Sequence, residues 1–130
     1  MFHTFNNQED RRKFGGTAFL ELQYCRMRSE TKIDERVSVS AIENWKNDSL
    51  YVYIDDMDDF ISQYSTAFGC GTYNNLETGC IDIYGINYYS MEQVNEIIEN
   101  IVKDRPKEYE VLLAWLNGAS AVNGFYVLGI

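Results

Sequence analysis

The chain has 130 residues, a formal net charge of −9, 45% hydrophobic and 15% aromatic side chains, one Pro and three Cys. That length fits a single domain that buries a core without disulfide or metal staples, and ten Tyr with seven Phe exclude a disordered chain. The carboxylate excess argues against direct binding to nucleic acid or anionic membrane, where Lys and Arg supply the affinity, and no run approaches the roughly 20 apolar residues of a membrane span.

Residues 1–13, MFHTFNNQEDRRK, read as a flexible N-terminal segment with no apolar stretch of signal-peptide length. Residues 14–130 read as one domain. After Gly15-Gly16, Leu20, Leu22 and Tyr24 alternate with Glu21 and Gln23, the two-residue period of a half-buried strand. SETKIDER reads as a polar connection and residues 36–39 as a short strand. Ser40 to Glu43 matches a capping box, which predicts a short helix over 41–47. Asn47-Asp48-Ser49 is a turn signal, and Leu50 to Ile54 is β-branched and aromatic, as in a strand.

Met57, Phe60, Ile61, Tyr64 and Phe68 then form one apolar helical stripe. Residues 69–79 read as a loop or loose hairpin by their Gly and Asn content, and CIDIYGINYY as a strand with Gly85 at a bulge or bend. Ser90 to Gln93 is a second capping box. It opens a helix with Met91, Val94, Ile97, Ile98, Ile101 and Val102 inward and Glu92, Glu96 and Glu99 outward. Pro106 suits the first position of a further, largely buried helix that ends at Asn117-Gly118. NGFYVLGI closes the chain as a core strand. The sum is an α+β fold: a mostly antiparallel sheet of four or five strands with three to four helices packed against one face.

The charge is uneven. Residues 1–36 carry seven basic and six acidic side chains, residues 37–130 four basic and fourteen acidic. Between Lys46 and Lys103 there is no Lys or Arg and there are ten Asp or Glu, with Asp55, Asp56, Asp58 and Asp59 in five positions. One or two of these Asp have a structural use at a helix start, where carboxylates meet unpaired N–H groups and the positive end of the dipole. Four exceed that use. Glu92, Glu96 and Glu99 add like-charge neighbours at helical spacing, each costing a few tenths of a kcal/mol.

Catalytic equipment is sparse. The one histidine, His3, falls in the segment read as flexible, which leaves no natural Ser-His-Asp or Cys-His arrangement. Cys25, Cys70 and Cys80 lack a CxxC spacing and a nearby His for zinc. In a cytoplasmic protein without a secretory signal they read as reduced, small buried hydrophobes. Gly69-Cys-Gly71 lacks the Lys and further Gly of a phosphate loop. The Asp55–Asp59 group fails the calcium-loop spacing. No cofactor, metal or enzymatic role is expected.

The acidic surface itself remains. Asp55, Asp56, Asp58, Asp59, Glu92, Glu96 and Glu99 are the expected partner-binding residues, facing a basic protein surface such as that of a nuclease or other nucleic-acid-binding protein. Tyr51, Tyr53, Tyr73, Tyr88 and Tyr89 would serve as aromatic anchors where exposed. In general style the chain resembles small acidic inhibitors that mimic nucleic acid, as phages and mobile elements aim at CRISPR or restriction enzymes. An immunity protein that neutralises a nuclease toxin shares that physics. The other readings are a small-molecule or metal-binding enzyme domain using Tyr and Asp, and a homo-oligomeric domain whose acidity serves only solubility.

Overall fold

The computed structural model describes residues 1–119 and 121–130. It is an α+β fold around one antiparallel sheet of seven strands, wider than the four or five expected, with five α-helices. The strands are β1 (Phe2–His3), β2 (Phe19–Tyr24), β3 (Leu50–Tyr53), β4 (Gly71–Tyr73), β5 (Thr78–Gly79), β6 (Ile86–Tyr89) and β7 (Phe125–Leu128), in the order β1-β3-β2-β7-β6-β4-β5. The strands beyond the expected count are β1, two residues long and too short to show a period, and β4 and β5, which form a hairpin within residues 69–79, one of the two forms expected there.

The last strand is central. β7 pairs with β2 through Glu21↔Leu128 to Tyr24↔Phe125, and with β6 through Ile86↔Leu128 to Tyr89↔Phe125. One sheet face carries Leu20, Leu22, Leu50, Val52, Tyr89, Phe125 and Val127, all buried against three helices. These are α3 (Met57–Phe68), α4 (Met91–Asp104) and α5 (Tyr109–Ala119). They contribute Phe60, Tyr64 and Phe68, then Val94, Ile97 and Ile101, then Leu112, Trp115 and Leu116. Each such side chain contributes about 1.5–3 kcal/mol on burial.

The apolar stripe of α3 is inward as predicted, and the helix stops where Gly69 takes φ 63°. The capping box of α4 is formed. Gln93 N–H donates to Ser90 Oγ at 3.3 Å, and Ser90 N–H to Gln93 Oε1 at 2.8 Å. Helices α3 and α4 run antiparallel. Asn100, in the second half of α4, donates to the carbonyl of Ala67 near the end of α3 at 3.1 Å. Lys107, just past α4, donates its backbone N–H to Gln63 Oε1 at 3.0 Å.

The opposite face is also covered, which the expectation of helices on one face missed. Helix α1 (Gln8–Gly15) lies over it, with Phe14 against Phe19 and Tyr53. The segment 26–46, holding the short helix α2 (Ile33–Arg36), covers the rest. There Tyr126 O–H donates to the Arg36 carbonyl at 2.7 Å, and Val37 and Cys25 are fully buried.

Several local expectations are corrected. Residues 1–13 are not a loose start. They carry β1, paired Phe2↔Val52 and His3↔Tyr51, and most of α1, with Asn7 accepting from Asp10 N–H as its cap. Residues 36–39 form no strand, and 41–47 no α-helix. Val39–Ala41 is a single 3-10 turn, because the backbone of Glu43 is taken by Gln23, whose side chain bonds both its N–H and its C=O. Pro106 lies in the turn before α5, not at its first position, and α5 continues to Ala119. Val102 and Val111 are exposed.

Candidate functional site

The seven predicted carboxylates all sit on the α3–α4 layer. Asp55, Asp58, Glu92, Glu96 and Glu99 are exposed, while Asp56 and Asp59 are half-buried. Asp56 occupies the cap position of α3 but makes no side-chain capping bond. Residues Ile54–Asp56 already form a 3-10 turn, so Asp56 has φ −98° and ψ 1°, not the extended backbone from which a side chain reaches back. Asp58 and Asp59 lie in the first turn of α3, and Glu92 in that of α4.

The antiparallel packing divides these residues into two groups. The Asp cluster lies beside the end of α4, whereas Glu92 lies at its start. Twelve residues separate Glu92 from Asp104, roughly 18 Å of helix axis. The acidic surface is thus a ridge with two ends.

Tertiary structure also brings a cation to the Asp end. Lys107 Nζ donates to Asp59 Oδ2 at 2.8 Å. The hydrogen bond to Asp59 and that carboxylate's charge hold the Lys107 ammonium above its ordinary range, with Glu108 and Asp56 adding to them. The pair is exposed and therefore screened. Among the described residues, Asp59 is the one member of the seven in an ion pair. The stretch without Lys or Arg in sequence is therefore not wholly without one in space.

The anticipated aromatic anchors are mostly absent from this surface. Tyr51, Tyr88 and Tyr89 are fully buried, and Tyr53 and Tyr73 half-buried. The most exposed aromatic is Tyr84, 78% accessible, in the turn before β6. Cavities of about 540, 370 and 350 Å³ are present, and none is lined by any of the seven carboxylates. Among the described residues, no group of three His, Cys, Asp or Glu converges as metal ligands would.

A second polar cluster was not foreseen. Glu21, on the polar side of the predicted strand, is only 5% exposed, because α1 and residues 42–46 roof that face. Its Oε2 accepts from Gln23 Nε2 at 2.9 Å and Ser49 Oγ at 2.7 Å. Burial raises its carboxyl above the ordinary range, opposed by those hydrogen bonds and by Arg11. The Arg11 guanidinium is buried over the Tyr51 ring at 5.6 Å, and its Nε has no hydrogen-bond partner among the described residues. Arg11 and Glu21 both line the 370 Å³ cavity, with Phe19, Ile42 and Leu128 as apolar wall. The alternation of β2 pointed Glu21 at solvent, so no local signal could have found this cluster.

His3 sits among the rings of Phe5 and Phe14. Cys25 is buried, as expected of a small hydrophobe, but Cys70 and Cys80 are exposed, contrary to expectation. Among the described residues, no helix is long and apolar enough to cross a membrane. No protein-family model, curated protein or solved structure matches the chain.

Proposed function

We propose that the chain acts by binding, not catalysis: it occupies a basic surface of a cytoplasmic nucleic-acid-processing protein and blocks it as a nucleic-acid mimic. The observation that carries this reading is the α3–α4 ridge, with five exposed carboxylates and, among the described residues, a single ion pair for the seven. On α4, Glu92, Glu96 and Glu99 follow one another at about 6 and 4.5 Å of helix rise, a ladder for Arg and Lys that would otherwise hold phosphates. Charge complementarity of this kind speeds encounter and sets specificity more than it adds affinity. An anti-CRISPR or anti-restriction mimic and a nuclease-immunity protein would share this physics, and the choice of target separates them.

The test is capture of partners from lysate by the tagged chain at low and high salt, followed by competition. A partner that binds nucleic acid, releases at high salt and is displaced by duplex DNA or RNA supports the reading. A partner that holds the chain and its nucleic acid together overturns mimicry.

A further inference from the structure

The β4–β5 hairpin pairs Gly71↔Gly79 and Thr72↔Thr78, and Tyr73 N–H donates to the Glu77 carbonyl at 2.8 Å. Hydrogen-bonded and non-hydrogen-bonded pairs alternate along an antiparallel ladder. Tyr73 N–H bonds Glu77, so Thr72 and Thr78 are a non-hydrogen-bonded pair and Gly71 and Gly79 a bonded one, where the ladder ends; the same register carried one step outward, to the residues that flank the two strands, would set Cys70 opposite Cys80 at a non-hydrogen-bonded position. Facing Cα atoms at such a position are about 4.5 Å apart in a regular ladder, inside the roughly 4.4–6.8 Å that a disulfide spans. Both thiols are free and exposed.

The two strands are closely covered at their last pair. A Cβ on Gly71 would lie 2.9 Å from Tyr89 Cζ, and one on Gly79 2.3 Å from Tyr73 Oη, so neither position accepts a side chain without a shift. The main chain of each cysteine is also tied. Gln93 Nε2 donates to the Cys70 carbonyl at 2.7 Å, and Tyr73 O–H to the Cys80 carbonyl at 2.5 Å. Cys25 is fully buried beside the Tyr126 hydroxyl and takes no part.

We propose that Cys70 and Cys80 are a redox-active dithiol that closes into a cross-strand disulfide by exchange with a low-molecular-weight disulfide such as oxidised glutathione. One thiolate attacks the glutathione disulfide and expels one glutathione thiol. The second thiolate then attacks the mixed disulfide at the protein sulfur and expels the other. The protein dithiol loses two electrons and two protons, and one oxidised glutathione becomes two reduced ones. The bridge pins the edge hairpin of the sheet, where the last strands are only two and three residues long.

The test equilibrates the purified chain over a range of oxidised-to-reduced glutathione ratios, quenches free thiols by alkylation and maps peptides without reduction. The expected product is one chain lighter by two hydrogens, with Cys70 linked to Cys80 and Cys25 alkylated only after unfolding. Its melting temperature should exceed that of the reduced chain by several degrees, a shift that a Cys70→Ser, Cys80→Ser double variant does not show. A Cys70→Ser variant should stop at a stable glutathione adduct on Cys80. Separate glutathione adducts on both wild-type cysteines at excess oxidant, or links only between chains, would overturn the proposal.

Discussion

The two ends of the acidic ridge can be neutralised independently. One variant carries Asp55→Asn and Asp58→Asn, the other Glu92→Gln, Glu96→Gln and Glu99→Gln. Asp59 is left alone because it holds Lys107. Asp58 and Glu92 sit in first turns, where a carboxylate contributes about 0.3–1 kcal/mol through the helix dipole. In the Glu variant that loss is offset by relief of two like-charge neighbours, 92 with 96 and 96 with 99, about 0.2–0.5 kcal/mol each. Both variants should therefore stay within about 1 kcal/mol of the parent, a melting change under about 5 °C. An exposed ion pair across an interface contributes about 0.2–1 kcal/mol. The Glu variant should then lose about 3- to 150-fold in partner affinity and the Asp variant about 2- to 30-fold. Most of the loss should be in the on-rate, with a shallower dependence on salt. The assay is biosensor kinetics against the captured partner over a salt series, with melting recorded in parallel. If both variants melt like the parent and bind with unchanged rates and salt dependence, the ridge is not the interface.

Glu21 should make stability pH-dependent. Its folded carboxyl holds the proton more tightly than the unfolded one, whose ordinary value is 4.5. Its contribution is therefore complete below that value and declines as pH rises through the higher folded value; urea titrations of Glu21→Gln should lose this slope. Tyr126→Phe leaves the half-buried Arg36 carbonyl without this donor, and should cost about 0.5–1.5 kcal/mol in denaturant unfolding. Gly124 takes φ +83° and its missing Cβ would lie 2.0 Å from the Tyr89 carbonyl oxygen. Gly124→Ala should destabilise by well over 1 kcal/mol, seen as a large drop in melting temperature.

What could be read from the chain were the elements with a long, clean period. The stripe of α3, the capping box and inward face of α4, and the apolar runs of β3 and β7 each declare themselves over a few turns or one strand. The same capping signature at Ser40 and Glu43 failed because Gln23, twenty residues away, claims the Glu43 backbone. A capping box states a local preference, and a tertiary hydrogen bond outbid it. Of the candidate site, the exposed Glu row on α4 was legible for the same reason as the helix. The buried tyrosines were not, since an aromatic residue in a strand suits either a core or an interface.

The sequence alone determined the α+β class, the helix–strand periods and the excess of negative charge, because these depend on neighbours along the chain. Tertiary structure decided the rest. It made the C-terminal strand the centre of the sheet, roofed the second face so that Glu21 and Arg11 are buried, and turned the acidic residues into a ridge with Lys107 at one end. It also paired Gly71 with Gly79, so that Cys70 and Cys80 flank the last pair of one hairpin. Each of these depends on which distant segments pack together, and burial and charge pairing follow distance in space, not position along the chain.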